Sequence, residues 1–200
     1  MKSGLVLLST GIDSPVASMI LKDKGVAINF LNFGYEKKPG NKLMKLFKIL
    51  NKEHNSKLFY ADFKKIQETI MQKCYSRYQC IICKRFMYRL AEKIAEEKNF
   101  EFLVTGENLG QVASQTLDNM AVLDNAVSKT VIRPLLTYDK QEIIDRAKDY
   151  GIFKISIKDQ KICPYVPSNP ATRSTIEKIE KEEAKLEVEK LIEEVSGCLE

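Results

Sequence analysis

The chain has 200 residues, of which 44% are hydrophobic and 30% are charged, a balance typical of a globular protein with a real core. This length fits one ordinary domain with room for a short second module. The formal net charge of +5 is compatible with an RNA partner but too small to indicate one alone. No stretch approaches the roughly 18 apolar residues of a membrane span, and no signal peptide is evident. We therefore expect a cytoplasmic protein with no membrane association.

Apolar and amphipathic stretches alternate along the chain. They predict strands over residues 5–8, 26–33, 57–63, 102–105 and 131–135. They predict helices over residues 13–24, 41–55, from the third strand to about residue 74, 80–98, 111–121, 139–150 and 174–195. A capping box at Ser174–Glu177 would begin the last helix, and Gly197 would follow its end. This alternation predicts an α/β fold with a doubly wound, parallel five-stranded sheet and helices on both faces.

A short turn follows the first predicted strand. Ser9, Thr10 and Gly11 form this turn, and Asp13 and Ser14 begin the next helix. Backbone N–H groups at such a helix start, together with the helix dipole, make a cradle for phosphate. The pattern is neither a Walker A loop nor a dinucleotide-binding fingerprint. An ordinary turn with an Asp or Ser N-cap explains this stretch equally well.

The predicted sheet would bring three polar segments to one edge. They are residues 9–14, 32–34 and 105–107, each directly after a predicted strand. In doubly wound sheets, ligands bind at the carboxyl ends of the strands. We therefore expect one ligand site to contain all three segments.

Five cysteines, at positions 74, 80, 83, 163 and 198, suggest metal or catalytic thiols rather than disulfides in a cytoplasmic chain. Cys80 and Cys83 form a C-x-x-C motif at a predicted helix start, where it can be a redox pair, half of a zinc site or part of an iron–sulfur site. Zinc is disfavoured, since the single histidine, His54, is expected on the surface of an amphipathic helix. With Cys163, the pair could hold a four-iron cluster with one iron free of protein ligands. Spacing alone ranks that cluster level with a catalytic thiol pair, and Cys198 receives no role.

Four stretches of the sequence resemble known ATP-using enzymes. The Ser-x-Gly-x-Asp-Ser pattern of residues 9–14 resembles the pyrophosphate loop of PP-loop ATPases, with Thr10 in place of the usual first glycine. Residues 105–116, Thr-Gly-Glu-Asn-Leu-Gly-Gln-Val-Ala-Ser-Gln-Thr, resemble the signature of the ThiI-type tRNA 4-thiouridine synthases almost residue for residue. Residues 84–87 and 167–173 agree with that family as well. The resemblance covers nearly the whole chain.

The resemblance implies an adenine nucleotide alpha hydrolase-like PP-loop fold, with an ATPase and thiolation domain over residues 1–173 and a C-terminal helix over residues 174–200. It implies that ATP and Mg²⁺ are bound, that Asp13 is catalytic, and that pyrophosphate is held by the polar loop. The implied nucleotide-binding residues are Leu7, Leu8, Ser9, Gly11, Asp13, Ser14, Asn32, Phe33, Lys84, Gly106 and Gln115.

The resemblance also implies the chemistry: ATP adenylates the 4-oxygen of a tRNA uridine, and sulfur replaces that oxygen. Cys163 falls where the family keeps a catalytic cysteine. The Cys80–Cys83 pair resembles archaeal sulfide-using members and iron–sulfur-dependent 2-thiolating enzymes, which implies a [4Fe-4S] cluster on Cys80, Cys83 and Cys163. Sulfide or another sulfur donor would supply the sulfur.

Neither THUMP-type tRNA-binding modules nor a rhodanese domain is recognisable in these residues. We therefore expect a separate THUMP-type protein to assist tRNA binding and expect no persulfide relay; a homodimer is compatible with the sequence. Five cations could contact RNA phosphates: Arg77, Lys84, Arg85, Arg89 and Arg173. Alternative functions are an ATP-binding subunit that needs such a partner, a 2-thiolating tRNA enzyme, or a small-molecule sulfur-transfer or amide-forming ATPase of the same fold.

Overall fold

A computed structural model describes residues 3–52, 55–159 and 163–196. The five strands are β1 (Ser3–Leu7), β2 (Ala27–Gly34), β3 (Leu58–Asp62), β4 (Phe102–Val104) and β5 (Val131–Ile132). The helices within the described ranges are α1 (Asp13–Asp23), α2 (Asn41–Leu50), α3 (Lys64–Lys73), α4 (Gln79–Glu97), α5 (Leu117–Asp124), α6 (Lys140–Asp149), α7 (Phe153–Ile157), α8 (Ile176–Glu183) and α9 (Val188–Ser196). Short 3-10 turns occupy Ser76–Tyr78 and Ala113–Gln115.

The strands form one parallel sheet in the order β3-β2-β1-β4-β5. Val6 of β1 lies opposite Phe30 on one side and Val104 on the other. The chain winds outward from β1 to β3 and then crosses to β4, so a topological switch point lies between β1 and β4. A ligand crevice is expected outside the carboxyl ends of these two strands.

Helices cover both faces of the sheet and create two cores. One core packs α1, α2, α6 and α7 against the sheet, and the other packs α3, α4, α5, α8 and α9 against the opposite face. Strands that are buried on both faces explain the nearly continuous apolar runs in the sequence. The predicted doubly wound parallel fold is confirmed.

Several predicted boundaries are wrong. The second helix ends at Leu50 rather than at Asn55, and His54 lies outside the described residues. A 3-10 turn comes first in the Thr105–Thr116 region, so α5 begins only at Leu117. The fifth strand contains two residues, because an Arg-Pro sequence follows it and proline cannot donate to the strand ladder. Helix α7 was not predicted.

The predicted C-terminal helix is two helices. Residues 184–187 separate α8 from α9, and this break lets Ile179 on α8 and Ile192 on α9 both enter the core beside α4. The N-cap of α8 is Thr175, whose hydroxyl accepts from the Lys178 N–H; the predicted Ser174–Glu177 capping box is therefore wrong. Gly197 and Cys198 lie outside the described residues.

None of the helices in the described ranges combines the length and the apolar character that crossing a membrane requires.

Candidate active site

The loop between β1 and α1 is held together by its two serines. The Ser9 N–H donates to Ser14 Oγ at 2.8 Å, and the two hydroxyl oxygens lie 3.1 Å apart. The Gly11 N–H donates to Ser9 Oγ at 3.3 Å. The N-cap residue is Ile12, and no side chain caps α1, so the alternative of an ordinary turn with an Asp or Ser N-cap is wrong. A helix start without a side-chain cap favours an anion, because its N–H groups and dipole are available to it.

Asp13 connects this loop to helix α6 and, through Lys140, to the segment that follows β4. Its carboxylate lies 3.0 Å from the ammonium nitrogen of Lys140 on α6. The same nitrogen lies 3.4 Å from Gln111 Oε1, in the segment that follows β4. A carboxylate and an ammonium group therefore lie side by side at the loop between β1 and α1.

Gly106 fixes how closely the end of β4 approaches the loop. A Cβ atom at this position would lie 2.3 Å from Ser14 N and 2.6 Å from the carbonyl carbon of Asp13. These are backbone atoms that cannot rotate away, so only glycine fits. The contact brings the Thr105–Glu107 segment against the start of α1 at the switch point.

A cavity of about 310 Å³ lies at this contact. Nine residues implied by the sequence resemblance line it: Leu7, Leu8, Ser9, Ser14, Asn32, Phe33, Lys84, Gly106 and Gln115. Gly11 and Asp13 belong to the adjoining loop and do not line the cavity. The structure thus brings together the ends of β1, β2 and β4, as the fold predicts. We call this space the nucleotide cavity.

A buried carboxylate organises one wall of the nucleotide cavity. Glu107 accepts from Lys84 Nζ at 2.9 Å, Tyr88 Oη at 2.6 Å and Arg133 Nε at 3.0 Å. Burial alone would raise the pKa of Glu107, but the charge of Lys84, the Tyr88 hydrogen bond and the charge of Arg133 outweigh it and lower the pKa to about 2. Glu107 is therefore ionised at neutral pH and holds Lys84 in place.

A second cavity, of about 230 Å³, is lined by Cys80, Cys83 and Cys163. We call it the thiol cavity. Gln67 Nε2 donates to Cys83 Sγ at 3.1 Å and lies 4.0 Å from Cys163 Sγ. In the ranges that the structure describes, no group of three His, Cys, Asp or Glu side chains is arranged to hold a metal ion. The three cysteines thus share a cavity, and their role as metal ligands stays a prediction.

Burial decides the protonation of two of these thiols. It raises the pKa of Cys83 to about 12, and the hydrogen bond from Gln67 lowers it only in part. Burial also raises the pKa of Cys80. Both groups are therefore neutral at pH 7 unless a cation enters the cavity. This disfavours a free nucleophilic thiol pair, since the thiolate is the reactive form.

Comparisons with known proteins agree with this geometry. The family model described as "Thiamine biosynthesis protein (ThiI)" matches residues 1–188. The chain belongs to the ThiI family. A protein of Halothermothrix orenii with the name "Probable tRNA sulfurtransferase" is 40% identical over 204 residues, which cover 98% of this chain and 50% of that protein. A protein of the same name from Methanocaldococcus jannaschii is 37% identical and covers 92% of this chain and 50% of its own length.

Solved structures show the same relationship for this ThiI-family chain. A "4-thiouridine synthetase - RNA complex with bound ATP" superimposes with a TM-score of 0.93 at 36% identity, covering 100% of this chain and 54% of that one. The NH3-dependent NAD synthetase of Campylobacter jejuni, at 16% identity, has a TM-score of 0.57 over 82% of this chain and 70% of its own, which shows the PP-loop fold alone. The chain spans about half the length of the curated relatives it matches.

The cations that were expected to contact RNA occupy very different positions in this ThiI-family chain. Arg85 is 1% exposed and donates two hydrogen bonds to the Glu183 carboxylate, at 2.9 and 3.0 Å. It cannot reach a phosphate, so that prediction is wrong. Arg89 donates to the same carboxylate at 2.7 and 2.8 Å. Arg77 and Arg173 are exposed, and Lys84 is held by Glu107.

Several residues that line the cavities were missed by sequence reasoning. Tyr35 lines both cavities, and its hydroxyl lies 3.3 Å from Cys163 Sγ. Its position directly after the predicted strand-end segment 32–34 was a signal. Thr105 and Glu107 stand inside the motif of residues 105–116, so they too could have been chosen. Gln67 carries no sequence signal, because only the packing of α3 beside α4 brings it to the thiols.

Proposed function

We propose that this chain is the ATP-binding and thiolating part of a tRNA 4-thiouridine synthase. One observation carries the proposal: the ends of β1, β2 and β4 and the start of α1 enclose a cavity lined by nine of the residues that the sequence resemblance implies for nucleotide binding. The structural neighbour described as a 4-thiouridine synthetase with RNA and bound ATP supports it, because the similarity covers the whole of this chain.

In this proposal ATP occupies the nucleotide cavity. Its pyrophosphate lies on the Ser9–Ser14 loop, where uncapped N–H groups at the start of α1 stabilise negative charge. Asp13 would supply a carboxylate oxygen of the kind that Mg²⁺ prefers, and Mg²⁺ bound with ATP would neutralise phosphate charge. Lys84, held by Glu107 at 2.9 Å, lies on the cavity wall as a positive charge for the nucleotide.

The reaction proceeds in two steps. The 4-oxygen of uridine attacks the α-phosphorus of ATP; an O–P bond forms, the bond to pyrophosphate breaks, and the base is adenylated. Hydrosulfide then attacks C4, the C4–O bond breaks, AMP leaves with the oxygen, and one proton is released. No electrons are gained or lost overall. The base must leave its stack to reach the site, at a cost of a few kcal/mol.

The sulfur would arrive from the side of the thiol cavity. We propose that Cys80, Cys83 and Cys163 hold a [4Fe-4S] cluster, because the three thiols line one cavity and the C-x-x-C spacing lets Cys80 and Cys83 face the same space. Such a cluster would be held by these three cysteines and would supply an iron without a protein ligand for binding sulfide. Gln67 and Tyr35 contact the sulfur atoms and would orient them.

The proposed partners are tRNA, a sulfide-level sulfur donor and a tRNA-binding module of the THUMP type. The exposed Arg77 and Arg173 are the remaining candidates for contacts with RNA phosphates, and Arg173 also pairs with Asp118 at 3.0 Å. Both arginines are at the surface, where neutralising phosphate charge dominates affinity for RNA. A second copy of the chain is a further candidate partner.

Pyrophosphate release tests the proposed function directly. The chain, with ATP, Mg²⁺ and sulfide, is assayed with tRNA, with small carboxylic acids and without acceptor, and tRNA is digested to detect 4-thiouridine. We expect tRNA-dependent release, and we expect Asp13→Ala to lower it by about a hundredfold, the scale of losing one transition-state contact to developing charge.

Asp149→Ala provides the matched control, since Asp149 is an exposed carboxylate at the end of α6, outside the site. Pyrophosphate release by this variant should equal that of the unchanged chain. Release that depends on a small acid and not on tRNA would contradict the proposal and favour an amide-forming enzyme. Release that appears only after a tRNA-binding protein is added would assign this chain the role of ATP-binding subunit.

A further inference from the structure

A third space, a groove of about 820 Å³, adjoins the nucleotide cavity. Asn32, Phe33 and Tyr35 line both spaces, so the groove and the nucleotide cavity share a wall at the end of β2. The far side of the groove is formed by Asp159, Cys163 and Pro164. A volume of this size is ample for one nucleotide, since pockets for small ligands measure roughly 300–1,000 Å³.

Tyr35 stands where the three spaces meet. It lines the nucleotide cavity, the thiol cavity and the groove, and its hydroxyl is 3.3 Å from Cys163 Sγ. Cys163 lines both the thiol cavity and the groove, whereas Cys80 and Cys83 line the thiol cavity without lining the groove. Cys163 is therefore the thiol that lies between the thiol cavity and a molecule bound in the groove.

The lining of the groove suits an unstacked nucleotide base. Tyr35 offers an aromatic ring at its wall, and bases taken out of a stack are held on such rings. Tyr60 reaches the groove because Gly34 has no side chain; a Cβ atom there would lie 2.0 Å from the tyrosine hydroxyl oxygen. The Tyr60 hydroxyl donates to the Glu36 carbonyl at 2.7 Å, which fixes the segment after Tyr35.

Two lysines in the groove have different tasks. Lys42 Nζ donates to the Ser156 carbonyl at 2.9 Å and to the Lys158 carbonyl at 2.5 Å, so it holds the far wall in place. Lys38 is exposed, and among the described residues no side chain or carbonyl group forms an ion pair or a hydrogen bond with its ammonium group. An unengaged cation at the rim of an aromatic groove is suited to a phosphate group of RNA.

We propose that this groove receives the uridine nucleotide that reacts, with its base against Tyr35 and its phosphate at Lys38. The base then lies between the nucleotide cavity and Cys163. In this position its 4-carbonyl group can react first with ATP and then with sulfur. Thr10, the unusual residue of the pyrophosphate loop, also lines the groove, which gives its side chain a place outside the phosphate cradle. The inference rests on the proposed function, because it names where that reaction's substrate binds.

The reaction product is itself a probe, because 4-thiouridine crosslinks to neighbouring side chains under near-ultraviolet light. The full chain with an ATP analogue is irradiated with millimolar 4-thiouridine 5′-monophosphate or 4-thiouridine, and labelled peptides are mapped by mass spectrometry. We expect labelling within residues 35–42 or 163–165. Tyr35→Ala should lower the yield about tenfold, the scale of losing one base–aromatic stack.

Lys38→Glu should lower labelling by the monophosphate and leave labelling by the nucleoside unchanged. Lys45→Glu is the matched control, because Lys45 is an exposed lysine of α2 outside the groove, and both yields should equal those of the unchanged chain. Labelling elsewhere, no labelling, or full labelling of Tyr35→Ala would overturn the assignment. Crosslinking needs no turnover, so a chain that labels in the groove but releases no pyrophosphate with tRNA would refute the proposed function alone.

Discussion

At the wall of the nucleotide cavity, the Glu107 carboxylate receives hydrogen bonds from Lys84, Tyr88, Thr105 and Arg133. Arg133 also contacts Asp124 at 2.5 Å. A buried charge is tolerated when it is paired and its oxygens are satisfied, and removing one partner leaves the others uncompensated. Glu107 therefore supports both the fold and the placement of Lys84.

The low pKa of Glu107 makes stability depend on pH. Its pKa is about 2 in the folded chain, against an ordinary value of 4.5, so the folded state favours the ionised form. The contribution of ionised Glu107 to the free energy of unfolding is about 3 kcal/mol for a shift of this size. It is fully present above pH 4.5 and is lost as the pH falls from 4.5 to about 2. We expect urea-induced unfolding to show a matching fall in the free energy of unfolding over that range.

Glu107→Gln tests the assignment, because it keeps the shape of the side chain and removes the charge. We expect this variant to be less stable at pH 7 and to lose less stability below pH 4.5 than the unchanged chain. Glu68→Gln is the control, since Glu68 forms an exposed pair with Lys64 at 3.8 Å, and such pairs contribute about 0–1 kcal/mol. Equal acid sensitivity of all three chains would contradict the role of Glu107.

Helix α4 connects the site to the core, because one of its faces lines the thiol cavity and another packs in the core. Cys80, Cys83, Lys84 and Met87, at helical spacing, line the thiol cavity, whereas Ile81, Ile82 and Phe86 lie in the core. Residues three and four positions apart share one face of a helix, so the motif and its charged neighbour reach the same space. The apolar pattern of the other positions fixes which way that face points.

The C-terminal segment is tied to α4 by a buried ion pair. Glu183 on α8 accepts from Arg85 and Arg89, and both contacts are bidentate. The pairing is geometrically specific, because a planar guanidinium group matches the two oxygens of a carboxylate. The two arginines lower the pKa of Glu183, against the effect of burial, which alone would raise it.

Loss of this carboxylate should destabilise the whole fold. We expect Glu183→Gln to lower the free energy of unfolding by about 3–5 kcal/mol, because Arg85 would remain buried without its counter-charge. Urea titration followed by circular dichroism measures the change. Glu187→Gln, which removes an exposed pair with Lys190, should change stability by less than about 1 kcal/mol. A similar small change for Glu183→Gln would show that the pair contributes little.

On the scale of the whole molecule, the fold brings together segments that are remote in the sequence. Tyr35 and Cys163 are 128 residues apart in the sequence, and Gln67 and Cys163 are 96 apart, yet their side chains meet at one edge of the sheet. The proposed cluster would therefore depend on contacts between distant segments of the chain.

Anaerobic reconstitution with iron and sulfide tests the cluster proposal. We expect about four iron atoms per chain and a broad visible absorbance, and we expect Cys163→Ala to lose most of both. Cys74→Ala is the control, because Cys74 is buried away from the thiol cavity, with its Sγ 3.7 Å from the Glu182 carbonyl oxygen. A colourless, iron-free chain with alkylatable Cys80 and Cys83 would contradict the cluster and favour free thiols.

The sequence by itself determined the order of strands and helices, the polar loop of residues 9–14 and the family motif. Alternating apolar and amphipathic stretches act locally, so they specify strand and helix order without knowledge of contacts. The polar segments after the first, second and fourth strands then follow from topology, because the carboxyl ends of parallel strands share one edge. For this reason most of the implied nucleotide-binding residues line one cavity.

Only the tertiary structure decided which polar side chains face inward. Arg85 has the same local sequence features as a surface cation, and its burial depends on Glu183, 98 residues away. Tyr35, Gln67 and the groove beside Cys163 likewise arise where several segments meet. Such contacts leave no periodic trace in the sequence, because the free energy that fixes them comes from burial and pairing across the fold.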